Sequence, residues 1–258
     1  MRQQSKIAVE VRDVVIGGEK PLVCLPLVAK NSDDLLGEAE LLKPLHPDLL
    51  EWRVDGFAGV GNIDACLDVQ ARLRRVIGDI PLIYTCRIDC EGGMAKLDQD
   101  KRRDLIEAAI SAGTVDLVDI ELCNDRDFIA SVRSKAREFG VKLILSYHNF
   151  DETPGENFIV EKLEAQCRSG ADIAKLAVMP KSYSDVLTLL NATNRARNTT
   201  VDVPIITMSM GFMGQITRLA GGLFGSDVTF AIGKDASAPG QIAIERLRDA
   251  MDIFYKQV

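Results

Sequence analysis

The chain has 258 residues, 47% of them hydrophobic, and a formal net charge of −7. That length and apolar content suffice for one large domain with a buried core, and an acidic balance without a basic block excludes general affinity for nucleic acid or an anionic membrane surface. No signal-peptide pattern opens the chain and no apolar run approaches the ~20 residues that span a bilayer, so a cytoplasmic protein is expected.

The six cysteines (24, 66, 86, 90, 123 and 167) form no regular framework. Cys86 and Cys90 have neither a second pair nor a nearby histidine to complete a zinc site, which leaves reduced thiols and no expected metal. Residues 6–16 partly alternate and end in Gly17-Gly18, predicting a hairpin ahead of the main fold. One pattern then recurs: a short apolar, β-branched run followed by a helix-length amphipathic segment. The runs are 21–28, 48–54, 81–87, 115–122, 141–148, 172–178, 204–210 and 227–232, and the helical segments fall near 32–43, 62–77, 98–112, 125–139, 155–169, 182–198, 212–222 and 239–254. Start signals support several of these helices, at Asn31 and from Ser182 to Asp185. Eight such units with near-continuous apolar strands imply a parallel sheet, and eight closes a (β/α)₈ TIM barrel. The expectation is a single barrel domain over residues 1–258 with an N-terminal β-hairpin. An open doubly wound sheet is the alternative, but the Gly-rich turn it needs after an early strand is absent.

Lys175 stands in the middle of one apolar run. Desolvation disfavours an ammonium, so a buried lysine flanked by cations becomes a nucleophile able to form an imine with a ketone. The duller reading is a packed stem with its head snorkelling to water. Catalytic groups of a parallel barrel lie at the carboxyl ends of the strands. Those ends carry Glu51 and Arg53, Arg87 and Glu91, Asp119 and Glu121, His148, Lys175, and Met208 with Met210. Arg218 follows in the seventh helical segment, and Ser237 and Gln241 belong to a loop, 236–241, shaped like a lid. Arginines gathered in an acidic protein suit a small carboxylate, held by a bidentate guanidinium. His148 adds a group that accepts and donates a proton near neutral pH. Glu51 and Arg53 could instead brace the barrel mouth as an ion pair, Asp119 and Glu121 read as structural counter-ions, and the methionines read as wall packing. His46 falls between a helix and the next strand, at the opposite face, and reads as inert.

Six segments together, Glu51-Trp52-Arg53-Val54-Asp55, Arg87 with Glu91-Gly92-Gly93, Ser146-Tyr147-His148-Asn149, the run 171–180 around Lys175, 206–210 and 236–241, resemble the type I 3-dehydroquinate dehydratases over essentially the whole chain. The resemblance implies a homodimeric lyase of the shikimate pathway, used in aromatic amino acid biosynthesis. It would convert 3-dehydroquinate to 3-dehydroshikimate by syn elimination of water, through a covalent imine and without cofactor or metal. It further implies that Lys175 forms the imine, that His148 moves the C2 proton, and that Glu91 orients His148. Arg218 would clamp the substrate carboxylate, and Glu51, Arg53, Arg87, Ser237, Gln241 and Met208 would complete the binding site and lid. Two alternatives remain at this stage: a class I aldolase or transaldolase-like barrel, binding phosphate near Gly221, Gly222 and Gly225, and a non-catalytic barrel that binds a carboxylated ligand.

Overall fold

The computed structural model describes residues 2–255. A hairpin comes first, β1 (Val9–Val11) antiparallel to β2 (Val14–Ile16). Eight further strands follow: β3 (Leu22–Leu27), β4 (Leu49–Arg53), β5 (Leu82–Thr85), β6 (Leu117–Glu121), β7 (Lys142–Asn149), β8 (Ile173–Val178), β9 (Ile205–Ser209) and β10 (Val228–Phe230). They alternate with α1 (Ser32–Leu42), α2 (Ile63–Ile77), α3 (Gln99–Ser111), α4 (Arg126–Phe139), α5 (Glu156–Arg168), α6 (Tyr183–Thr199), α7 (Gln215–Ala220) and α8 (Ile244–Tyr255). The eight strands are parallel in the order β10-β3-β4-β5-β6-β7-β8-β9. A parallel bridge from Ile205 to Ser226, with Asp227 N–H donating to the Ile205 carbonyl at 2.6 Å, draws the two ends together. The expected (β/α)₈ barrel with its N-terminal hairpin is the fold observed.

Each strand is buried on both faces, which is why its sequence reads as a nearly unbroken apolar run. Leu49, Ile83, Leu117, Ile144, Ile173 and Ile206 form one cluster along the barrel axis. Their neighbours Leu50, Leu82, Val118, Leu145, Ala174 and Ile205 belong to the outer clusters with the helices. Val9, Val11 and Ile16 of the hairpin join the axial cluster and so plug the amino-terminal end of the barrel. Arg12 at the hairpin turn ties it down, donating to Asp116 at 2.7 Å and Asp79 at 3.0 Å. Above the apolar layer, the next inward positions on the same strands are polar, and this is where the site is built.

The start signals act as read. The Asn31 side chain accepts from Asp34 N–H at 2.9 Å, and Ser182 with Asp185 forms a reciprocal capping box. Two helix boundaries differ from expectation. The seventh helix is confined to Gln215–Ala220, because the chain folds back tightly before it: a Cβ on Gly214 would lie 2.0 Å from the Ser209 carbonyl oxygen. A 3₁₀ turn, Gly221–Phe224, ends it. The eighth helix starts at Ile244, because Ala243 is still in a parallel bridge with Ile232 and residues 239–242 belong to the loop over the barrel mouth.

Candidate active site

Alternation along the strands brings Glu51 and Arg53, Thr85 and Arg87, Asp119 and Glu121, Ser146 and His148, and Lys175 and Ala177 inward at the carboxyl end. Register places Lys175 beside Ser146 of β7 and Ala177 beside His148. The result is a cavity lined by Lys175, His148, Glu91, Glu51, Arg53, Arg87, Met208, Ser237 and Gln241. Of the expected site residues, Arg218 does not line this wall.

Lys175 is 4% exposed. Its Nζ donates to Asp119 Oδ2 at 2.7 Å and to Glu51 Oε1 at 3.3 Å, and lies 4.6 Å from the centre of the Phe230 ring. The expectation that cations surround this amine is corrected here. The two arginines of the wall are turned to acids of their own: Arg53 pairs with Asp55 at 2.8 Å, and Arg87 with Asp119 at 3.0 Å and Glu121 at 2.7 Å. Glu51 and Arg53 accordingly form no ion pair with each other; Glu51 accepts from Thr85 Oγ1 at 2.9 Å and from Lys175. Asp119, read from sequence as a counter-ion, is one for Arg87 and also touches the candidate nucleophile. Burial opposes its charge, but Arg87 and Lys175 prevail and hold its carboxyl well below the usual range. Ser146 Oγ adds a 2.6 Å hydrogen bond to Asp119 Oδ1.

His148 is held by Glu91. One carboxylate oxygen, Oε2, accepts the His148 backbone N–H at 2.8 Å and stands 3.0 Å from Nδ1. An ionised Glu91 thus accepts a hydrogen bond from Nδ1–H, which leaves Nε2 as the ring's free acceptor. Burial, reinforced by Arg87 and Lys175, pushes the imidazole well below its ordinary pKa, so it is neutral at pH 7. Burial and the nearby charge of Glu121 push the Glu91 carboxyl up to about 7. Glu91 ends a 3₁₀ turn, Asp89–Glu91, and the chain then doubles back so closely that a Cβ on Gly93 would lie 2.2 Å from the Arg87 carbonyl oxygen. That contact explains the second glycine of the Glu91-Gly92-Gly93 motif. Phe150, missed in the sequence because it lies beyond a strand end, lines the cavity and lies nearly parallel to the His148 ring at 6.5 Å. Phe230 was missed likewise, though it alternates inward with Val228 on the last strand.

Arg218 is buried behind this wall. Its donors reach the Phe230 carbonyl at 3.3 Å, Met208 Sδ at 3.6 Å and the Pro239 carbonyl at 3.0 Å, while its Nε has no partner. It has no carboxylate partner, unlike Arg2, Arg53, Arg87, Arg102 and Arg197, the other buried arginines among the described residues. Burial pulls its pKa down to about 10, which still leaves it cationic at neutral pH. Above the cavity the loop 236–241 is internally tied, Ser237 N–H to Gln241 Oε1 at 2.9 Å and Gln241 Nε2 to Ser237 Oγ at 3.1 Å. It also rests on the barrel through Gly211 N–H to the Pro239 carbonyl at 3.2 Å. Gly221, Gly222 and Gly225 take no part in the cavity wall; Gly222 packs against Pro21 and Tyr255. His46 is exposed and lies in the connection from α1 to β4, at the opposite end. Among the described residues no group of three or more His, Cys, Asp or Glu side chains could hold a metal ion, and no helix is long and apolar enough to cross a membrane.

The family model for type I 3-dehydroquinase matches residues 23–258. The chain belongs to that family. It is 46% identical over 253 residues to the 3-dehydroquinate dehydratase of Geobacillus thermodenitrificans, covering 98% of each chain. The crystal structure of the 3-dehydroquinate dehydratase from Geobacillus kaustophilus superposes with a TM-score of 0.95 at 45% identity, covering 100% of both chains. That of the type I enzyme from Clostridium difficile, described with covalently modified comenic acid, superposes with a TM-score of 0.94 at 41% identity over 98% of this chain and 99% of the other.

The Glu91–His148 contact gives a direct expectation for pH. Glu91 must be ionised to accept Nδ1–H, and its carboxyl protonates as the pH falls through about 7. Turnover should therefore decline on the acid side near that pH and hold above it. Glu91→Gln should remove this limb and lower kcat by roughly 100-fold; a pH–rate profile of both proteins checks it.

Proposed function

We propose that the chain dehydrates 3-dehydroquinate to 3-dehydroshikimate, in the shikimate pathway, through an imine on Lys175. The observation that carries the reading is a buried lysine amine, at the wall of the cavity, on the strand next to the one that presents the His148 imidazole. The relatives named 3-dehydroquinate dehydratase support the dehydration.

The chemistry explains the residue types. Loss of a proton beside a ketone leaves a carbanion that is poorly stabilised. Lys175 Nζ, once it has given up its extra proton, adds to the substrate carbonyl carbon; loss of water leaves a protonated imine, a far better electron sink. Asp119, already 2.7 Å from Nζ, is placed to keep its negative charge beside the positive nitrogen. His148 Nε2 takes the C2 proton, giving an enamine. The enamine then expels the C1 hydroxyl, which leaves as water with the proton returned from His148, and a second water hydrolyses the imine to release product and amine. This sequence needs no metal or organic cofactor, because the iminium supplies the electron sink. The Clostridium difficile structure with covalently modified comenic acid is in keeping with such a nucleophile.

Arg218 takes the substrate carboxylate. Its lack of any anionic partner supports this, and movement of Pro239, whose carbonyl now holds Nη2, would bring it to the cavity. Glu51, Arg53, Arg87, Ser237 and Gln241 hold the substrate hydroxyls and the closed lid, with Met208 packed between. Bidentate capture and lid closure orient the ring, which can lower the barrier by several kcal/mol.

The protein acts as a single-domain homodimer in the cytoplasm. Tyr183 and Leu187, one turn apart on α6 and 66% and 59% exposed, are apolar surface that a second copy would cover. Light scattering on the purified protein should read twice the chain mass, and a monomer would refute the dimer.

Borohydride reduction in the presence of 3-dehydroquinate tests the mechanism. The parent protein should gain a stable mass adduct on Lys175, and Lys175→Ala should lose both the adduct and nearly all turnover. His148→Ala should still form the adduct while kcat falls by about 10²–10⁴-fold. Turnover retained without Lys175 would rule out the imine.

A further inference from the structure

Glu121 has no part in the steps above, yet it is bonded to Arg87 of the cavity wall and to the root of the turn that carries Glu91. It closes β6 and is fully buried. Its Oε1 accepts Arg87 Nη1 at 2.7 Å and the backbone N–H of Ile88 at 3.2 Å. Its Oε2 accepts Arg102 Nη1 at 2.5 Å and Asn124 Nδ2 at 3.3 Å. Arg102 reaches in from α3, where the Cys86 carbonyl at 3.2 Å, the Asn124 side chain and the face of Phe128 at 4.8 Å fix its guanidinium. Ile88 is the residue from which the Glu91 turn departs, and its carbonyl accepts N–H from Glu91 at 3.1 Å and from Gly93 at 2.9 Å. One carboxylate therefore holds a guanidinium of the cavity wall and the root of the turn that presents Glu91 to His148.

We propose that Glu121 is a positioning residue: it sets where Arg87 and Glu91 stand and governs the proton held between Glu91 and His148. The inference rests on the dehydratase reading for its kinetic consequence. Around the Glu91 carboxylate stand Arg87 just past the end of β5, Glu121 of β6, Cys123 in the turn after it, and His148 from β7. Around His148 stand Arg87, Lys175, Asp119 and Arg53. Glu121 brings another negative charge toward Glu91, and after burial it does most to raise the Glu91 carboxyl. Arg102 meets its second oxygen from outside the barrel wall, while its first oxygen serves Arg87 and Ile88. A merely structural Glu121 would alter stability and leave the proton equilibrium at Glu91 where it is.

The chain's two histidines make the test direct. With [15N]histidine incorporated, NMR reads the His148 ring nitrogens while exposed His46 serves as the control. In the parent, His148 should report the ionisation of Glu91 near pH 7. Glu121→Gln, which removes the charge and keeps an acceptor oxygen, should move that event and the acid limb of kcat together to lower pH, by about half a unit or more, with His46 unmoved. Should the single variant fold poorly, Glu121→Gln with Arg102→Met preserves the net charge of the buried cluster and should show the same displacement. A folded variant with an unmoved event, or an unmoved acid limb, overturns the proposal. A parent that does not turn over 3-dehydroquinate overturns the dehydratase reading instead, and the NMR titration then decides the hold of Glu121 on the pair by itself.

Discussion

The contact between Lys175 Nζ and Asp119 is the constraint around which the barrel mouth is arranged. An ammonium removed from water costs several kcal/mol unless an anion replaces its hydration. Asp119 at 2.7 Å and Glu51 at 3.3 Å do so. Asp119 would itself be stranded without Arg87, and Arg87 draws in Glu121, which draws in Arg102. The chain of contacts ends there, with Lys175, Arg87 and Arg102 balanced against Glu51, Asp119 and Glu121. Removing one member of such a buried set leaves an uncompensated charge, at a cost of about 3–5 kcal/mol. The network thus holds the cavity wall in one arrangement before any substrate arrives.

That arrangement has a chemical consequence. In the imine mechanism proposed above, the carboxylate that steadies the amine in the resting protein would stand beside the same nitrogen in the protonated imine, so the site would change covalent state with little change in charge. Nearby, desolvation acts in the opposite sense on two groups. It keeps His148 neutral, and it brings Glu91 close to the pH at which it must be ionised. The proposed base and the carboxyl that holds it are therefore set by the same dry surroundings that would otherwise only penalise charge.

Much of this was legible in sequence because it depends on local periodicity. A polar residue two positions beyond an apolar one on a parallel strand has to face the barrel axis, and this places Glu51, Asp119, Ser146 and Lys175 above Leu49, Leu117, Ile144 and Ile173. What was misjudged depends on neighbours from distant parts of the chain. Glu51 and Arg53 share a strand face, yet Arg53 turns to Asp55 and Glu51 to Lys175, 124 residues away. Cations were expected around the amine, but each wall arginine is matched to an acid on its own or a neighbouring strand. Arg218 was expected at the cavity, yet its short helix seats it behind Met208 and Phe230. Phe150 and Phe230 carry no motif, and only their packing against His148 and Lys175 marks them.

The sequence by itself determined the eight-unit barrel, its N-terminal hairpin, and which strand ends carry a lysine, a histidine, acids and arginines, since burial on two faces and capping chemistry are written in short-range pattern. Tertiary structure alone decided which acid meets which base. Apart from Arg53 with Asp55, those pairings join residues far apart in the chain, where the low dielectric makes each charge select its nearest opposite, and no spacing along the chain encodes that choice.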